Sequence, residues 1–441
     1  MRIAVIGSGI SGLGTAYLLN HSADVHLFEI DSRLGGHSNT VDADFNGTKV
    51  PVDTGFIVFN PLNYPNLVSM FEQLDVPWLD TDMSFSVSLR QGGCEYSGSA
   101  LGLVAQPANL VRPRFWSMLS DVSRFYRTGY HSAFQGPTGE TLGEFIAREG
   151  YGKPFVEDHL LPMGAAIWSC SATMMRDYPV RSLLQFMENH KLLHLFNRPV
   201  WRTVKGGSRE YVNRIAASLG GTNGSHIHLS SRITGLRREQ GGVILSLAGE
   251  GDVWFDYVVL AAHADQSLKL ISDATRQERA ILSKFRFQPN RAVLHSDPSL
   301  MPRRRQAWGA WNYIGEGGEN QGLCLTYWMN RLQSIDGAYP LFETLNPHRE
   351  PRADLVHASF NYAHPVFDTT AIAGQQQLPS IQGSGKLFFA GAWTGHGFHE
   401  DGLKSAIAIA RSLGAEIPWK TNVAAYPAIP PLAQVDGREI A

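Results

Sequence analysis

Cysteine is scarce in this chain. Three occur among 441 residues, Cys94, Cys170 and Cys324, and none forms a CxxC pair, so neither a disulfide framework nor a zinc site is expected, and no other residue set reads as a metal centre. The thiols read as reduced, which points to the cytoplasm. Long hydrophobic runs are missing too. No uncharged stretch approaches the roughly 18 residues that span a bilayer, and the apolar start Ile3–Ile6 is broken by glycine with no small-residue cleavage pattern after it, unlike a signal peptide. Membrane contact is expected to be peripheral at most, at the inner face. An excess of one charge is the third absence. With 38 Lys and Arg against 40 Asp and Glu, the chain has no overall attraction for nucleic acid, and only local patches remain to meet anionic lipid.

What is present suits a large folded protein. Hydrophobic residues make up 43% and charged residues 18%, enough apolar matter for a sizeable interior. The length fits two interleaved domains of roughly 100–200 residues each, with room for a cofactor between them. The start reads as strand Ile3–Ile6, helix Leu13–Leu19 and strand Val25–Glu29, a βαβ unit. From Asn60 to about Leu195 the pattern turns helical, with few strand signals; it returns to strands at Val243–Leu247, Val253–Phe255 and Tyr257–Leu260. A strand at Leu323–Trp328 and a final unit, strand Lys386–Ala390 then helix Leu403–Leu413, follow. The reading is therefore an α/β fold. One discontinuous domain takes 1–60, 200–265 and 376–415, an α+β domain with a helical layer takes 61–199 and 266–375, and a proline-broken tail, 416–441, extends over the surface.

Gly7-Ser8-Gly9-Ile10-Ser11-Gly12 matches G-x-G-x-x-G between the first strand and its helix. There, backbone N–H groups and the helix dipole meet a pyrophosphate, the Rossmann arrangement. Glu29 closes the second strand, where a carboxylate accepts ribose hydroxyls and repels a 2′-phosphate, which favours FAD or NAD over NADP.

Next come Arg33-Leu34-Gly35-Gly36-His37 and Val52-Asp53-Thr54-Gly55-Phe56, and later Phe389-Ala390-Gly391-Ala392-Trp393-Thr394 with Gly402. On these segments the chain resembles the flavin amine oxidase superfamily, which includes protoporphyrinogen oxidases and carotenoid desaturases. Trp168-Ser169, Trp201–Ser208, Ala262–Gln266, Trp311–Tyr313, Tyr327–Asn330, His364–Asp368 and Gly397-Phe398-His399-Glu400-Asp401-Gly402 are similar to one subgroup. Its members are FAD-dependent proteins encoded beside bacterial cyclopropane fatty acid synthases and fused to the plant ones. The resemblance implies a glutathione-reductase-like FAD domain of amine-oxidase topology. It carries cofactor contacts onto Gly7, Gly9, Ser11, Gly12, Glu29, Gly35, Gly36, His37, Thr54, Gly55, Phe56, Ile233, Gly391, Trp393, Gly402 and Leu403. Two departures stand out. His37 replaces an arginine common after the G-G pair, and the C-terminal block has no cysteine, so the FAD is expected to be held non-covalently.

His399 and Glu400 are the acid/base candidates, placed between strand and helix beside the expected flavin. Asp401 reads as a helix cap, and His263, Arg202 and Lys205 carry no assigned role. The aromatic and Met-rich stretches Met163–Trp168, Met174-Met175 and Trp308–Tyr313 read as core, with part of the helical layer able to line a hydrophobic tunnel for an acyl chain. Arg112, Arg114 and Arg303–Arg305 read either as solvated faces or as holders of phosphate head groups. The resemblance implies hydride transfer at flavin N5, desaturating, reducing or isomerising an unsaturated or modified acyl chain. A cyclopropane synthase-like methyltransferase is the implied partner. The other readings are a flavin amine oxidase and a catalytically silent flavin-bearing partner of such a methyltransferase.

Overall fold

The computed structural model describes residues 1–194, 198–219, 226–317 and 322–426. Leu195, the end of the expected helical layer, and Pro427, Pro430 and Pro431 of the expected tail lie outside these residues. Five parallel strands form one sheet in the order Leu387–Phe389, Tyr257–Leu260, Arg2–Ile6, Asp24–Phe28 and His226–His228. Ile3, Ala4, Val5, Val258, Val259 and Leu260 are fully buried, as continuous apolar strands must be when both sheet faces are covered. Ile3, Val5 and Val259 pack under the helices Ile10–Leu19 and His399–Ser412. Ala4, Ile6, Val258 and Leu260 pack against an antiparallel sheet of Ile233–Glu239, Gly242–Leu247 and Gly251–Phe255.

A second sheet has seven strands in the order Val356–Val366, Arg286–His295, Phe342–Leu345, Leu325–Trp328, Trp311–Gly315, Phe85–Leu89 and Cys94–Ser97. Register places Leu294, Glu343, Tyr327, Trp311 and Phe85 side by side on one face. That face packs under the helices between Pro113 and Asn189 and shares their core. Met163, Trp168, Met175 and Tyr313 are buried in it.

Three expectations are corrected. The segment 61–199 is not helical throughout, because Trp78–Thr81, Phe85–Leu89 and Cys94–Ser97 are strands, and Phe85–Leu89 pairs in parallel with Trp311–Gly315. The last helix starts one turn early, at His399. Asp401 accordingly sits inside its first turn and accepts from the His396 and Phe398 N–H groups at 3.0 and 3.1 Å. From Gly414 to Tyr426 the chain has no regular structure but packs back through Ile417, Trp419, Val423 and Tyr426. No helix among the described residues is long and apolar enough to cross a membrane.

Candidate functional site

The first glycine turn is built by close backbone approach. Gly7 has φ +100° and donates to the Phe28 carbonyl at 2.8 Å. A Cβ on Gly12 would stand 1.8 Å from the Gly7 oxygen, so the helix can begin there only with glycine. Gly9 caps that helix without a side-chain hydrogen bond, leaving the first N–H groups, those of Ile10, Ser11 and Gly12, open to an anion. A Cβ on Gly9 would meet no protein atom within 4 Å, so the space in front of those groups is free. Glu29 Oε2 accepts from the Ser8 N–H at 2.9 Å and hydroxyl at 2.5 Å, and Oε1 from Asp31 N–H at 3.0 Å. Acceptor capacity remains on Oε1 for a ribose hydroxyl. Ile233 follows Ser231, whose N–H donates to the Glu29 carbonyl at 2.9 Å.

The paired glycines lie directly on this turn. Gly35 N–H reaches both the Ser8 carbonyl (3.1 Å) and hydroxyl (3.2 Å), and a Cβ on Gly36, at φ +55°, would be 3.1 Å from the Gly9 Cα. Phe56 N–H donates to the His37 carbonyl at 2.9 Å, while Gly55 admits no Cβ, which would fall 2.1 Å from the same oxygen. Thr54 Oγ1 joins the Tyr362 hydroxyl at 2.8 Å and the Asn39 amide at 3.1 Å, tying this loop to the seven-stranded sheet. His37 Nε2 is buried with no partner among the described residues, and the ring lies 4.8 Å from that of Tyr362 and 5.3 Å from that of His364. Burial, then the neighbouring His364, His263 and His399, hold its pKa well below the usual range. Burial lowers His364 to about 4 and His399 to about 3. These imidazoles are neutral at pH 7.

The chain's last helix docks its first turn on that of the first helix. A Cβ on Gly402 would touch Ile10 Cγ2 at 2.7 Å and Ser11 Oγ at 2.8 Å, and one on Gly14 would touch Leu403 at 2.8 Å. Gly391 N–H donates to Ser405 Oγ at 3.1 Å, and Trp393 Nε1 to the Ala262 carbonyl at 3.2 Å. The free helix start, the empty approach over Gly9, the acceptor at Glu29 and the orphaned His37 nitrogen fit a dinucleotide with a flavin.

The expected acid/base pair has its polar atoms engaged elsewhere. His399 stacks on Phe56 at 3.7 Å, with Nε2 2.9 Å from Ser38 Oγ and 3.3 Å from the Tyr211 hydroxyl. Glu400 accepts from Asn66 N–H, Asn66 Nδ2 and Leu67 N–H at 3.1, 2.7 and 3.0 Å, capping the helix Pro65–Gln73. Glu400→Ala would strand those donors in a buried site and is expected to lower stability by about 2 kcal/mol in denaturant unfolding.

A group that no motif announced is Glu343. It is 1% exposed, its Oε1 has no partner, and it stands beside Tyr327 and Leu294 on the sheet face under the helices. Burial raises its pKa well above the usual carboxyl range, helped by Asp53, which favours the protonated form. Trp168 Nε1, Tyr178 OH and Trp311 Nε1 are also buried without partners. Each such group costs roughly 1–3 kcal/mol, and a concentration of them marks a surface shaped for something other than stability. Among the described residues one metal-type grouping appears, Asp24, His26 and His226. Its His26 already takes Arg2 Nε on Nε2 at 3.2 Å and meets His228 through Nδ1 at 3.0 Å, which leaves no nitrogen for a cation.

A family model for flavin containing amine oxidoreductases matches residues 10–295. No curated protein sequence matches the chain. Solved structures share the fold. A fatty acid isomerase from P. acnes that produces CLA has a TM-score of 0.64 at 16% identity, over 93% of this chain and 98% of its own. Cyclohexylamine oxidase from Brevibacterium oxydans has 0.65 at 15%, over 93% and 99%. A putrescine oxidase variant has 0.67 at 11%, over 94% and 99%. With the family model spanning well over half the sequence and the glycine cradle in place, this chain belongs to the flavin containing amine oxidoreductases and is an FAD-dependent oxidoreductase.

Proposed function

We propose that the enzyme desaturates, reduces or isomerises an unsaturated or modified fatty acyl chain. The observation that carries this reading is the sheet face of Phe85, Trp311, Tyr327 and Leu294, apolar and aromatic, with one buried carboxyl, Glu343, set into it. Where part of this face opens beneath the helices, it would bind methylenes at about 0.8 kcal/mol each and exclude water. Bound FAD supplies two-electron chemistry at N5. Glu343 holds the single proton that the substrate carbon gains or loses. His399 and Glu400 are positioning residues: one locks the last helix onto the Gly35–Ser38 loop, the other onto Pro65–Gln73. The likeness of fold to a fatty acid isomerase supports the substrate class.

The test is anaerobic addition of unsaturated fatty acids or extracted phospholipids to the yellow protein, with the visible flavin band and the recovered acyl chains both followed. Bleaching, or a shifted double bond without net bleaching, is expected. Amine oxidation is the second reading, supported by the likeness of fold to cyclohexylamine oxidase and putrescine oxidase. Bleaching by alkylamines alone, with peroxide released in air, would replace the acyl reading with it.

A further inference from the structure

Away from the cofactor, the surface around residues 100–117 combines two features that seldom coincide. Leu101 is 80% exposed, Val111 83% and Trp116 53%, with Val104 and Leu110 exposed beside them. They sit on the short helices Ala100–Leu103 and Pro107–Val111 and on the first turn of Pro113–Arg124. Trp116 Nε1 donates to the Leu110 carbonyl at 2.8 Å, which fixes the indole against this apolar edge. The Arg305–Ala307 turn packs on Ala100–Leu103, and the buried Glu95 holds the basic run in place, accepting from Arg303 N–H at 2.6 Å and Arg304 Nη1 at 2.9 Å. Beside them lies a pocket of about 350 Å³ whose lining includes Arg90, Arg112, Arg114, Asn109 and Phe115, with Asp158 as its one carboxylate.

The charges do not cancel. Asp158 is buried between Arg90 at 2.9 Å and Arg114 at 2.7 Å, Glu157 also meets Arg114, and Glu95 meets Arg304. Arg112, Arg303 and Arg305 have no carboxylate partner among the described residues, and Asp121 farther along the helix is taken by Arg124. The result is a positive rim around exposed aliphatic side chains and a tryptophan, the composition of a surface that sits at the headgroup level of a membrane. A second copy of the chain is a poor occupant. A two-fold contact sets a patch against itself, here guanidinium against guanidinium.

We propose that this surface seats the protein on an anionic phospholipid bilayer. Leu101, Val111 and Trp116 enter the acyl boundary, and Arg112 at the pocket takes a lipid phosphate. The inference goes beyond the redox chemistry and stands whatever the substrate is. Flotation of the FAD-loaded full chain with phosphatidylcholine vesicles, with and without phosphatidylglycerol, tests it. Binding is expected only to the anionic vesicles and is expected to weaken with salt. Arg112→Ala and Arg305→Ala should each weaken it about fivefold, and Val111→Asp more than tenfold, with flavin absorbance and melting unchanged. No binding, binding indifferent to lipid charge, or unchanged binding by all three variants would overturn the proposal. So would a dimer in sedimentation that Val111→Asp dissolves while vesicles are ignored.

Discussion

Changing Gly9 to alanine is expected to leave the fold intact and strip the protein of its colour. The backbone at Gly9 is φ −64°, ψ −178°, which alanine adopts freely, and the new methyl meets no protein atom within 4 Å. It would instead fill the approach to the Ile10–Gly12 N–H groups, where the pyrophosphate must come within hydrogen-bond distance. Apoprotein melting should match wild type while FAD affinity falls at least tenfold, roughly 1.4 kcal/mol or more. Gly12→Ala is the contrasting case. Its methyl would lie 1.8 Å from the Gly7 oxygen, so both FAD uptake and thermal stability should drop. Gly9→Ala that binds FAD as well as wild type would place the diphosphate somewhere else.

Glu343→Gln should separate stability from turnover in opposite directions. If the carboxyl delivers the proton, its loss lowers kcat by about 10²–10⁴ with FAD content unchanged. The sign of the stability effect follows from linkage. The folded pKa lies above the unfolded value of 4.5, so the protonated native state takes up a proton relative to the unfolded chain as pH rises past 4.5. Its stability is full below that point and falls with pH, by about 1.4 kcal/mol per unit, until the raised folded pKa is reached. Glutamine does not titrate. The variant should therefore match wild type near pH 4 and be increasingly the more stable of the two toward pH 7. Equal stability at both values, measured by urea unfolding, would mean that the folded pKa is not raised.

How much of this was readable in advance depended on distance along the chain. The βαβ start and the strand Tyr257–Leu260 were legible because their apolar runs and glycines are local signals. Phe85–Leu89 also carries one, Phe-Ser-Val-Ser-Leu alternation, but it is short. What makes it a strand is pairing with Trp311–Gly315, more than two hundred residues on. The last helix reads from Leu403, where the apolar pattern begins, although Asp401 already works from within its first turn. Glu400 and His399 read as acid/base candidates because sequence carries no record of the Asn66, Leu67, Ser38 and Tyr211 groups that occupy them. Glu343 was invisible for the converse reason. A glutamate in Leu-Phe-Glu-Thr-Leu looks like any exposed strand residue until both sheet neighbours and the helices above bury it.

The placement of strand Leu387–Phe389 against Tyr257–Leu260, and of Gly402 against Ile10 and Ser11, orders events during biosynthesis. The nucleotide-binding half cannot close while the ribosome still holds the final helix, however early its glycine turn is translated. Cofactor uptake thus waits until the helix His399–Ser412 has been made, and a nascent chain stalled before residue 399 would persist as a colourless intermediate with its diphosphate cradle missing one wall.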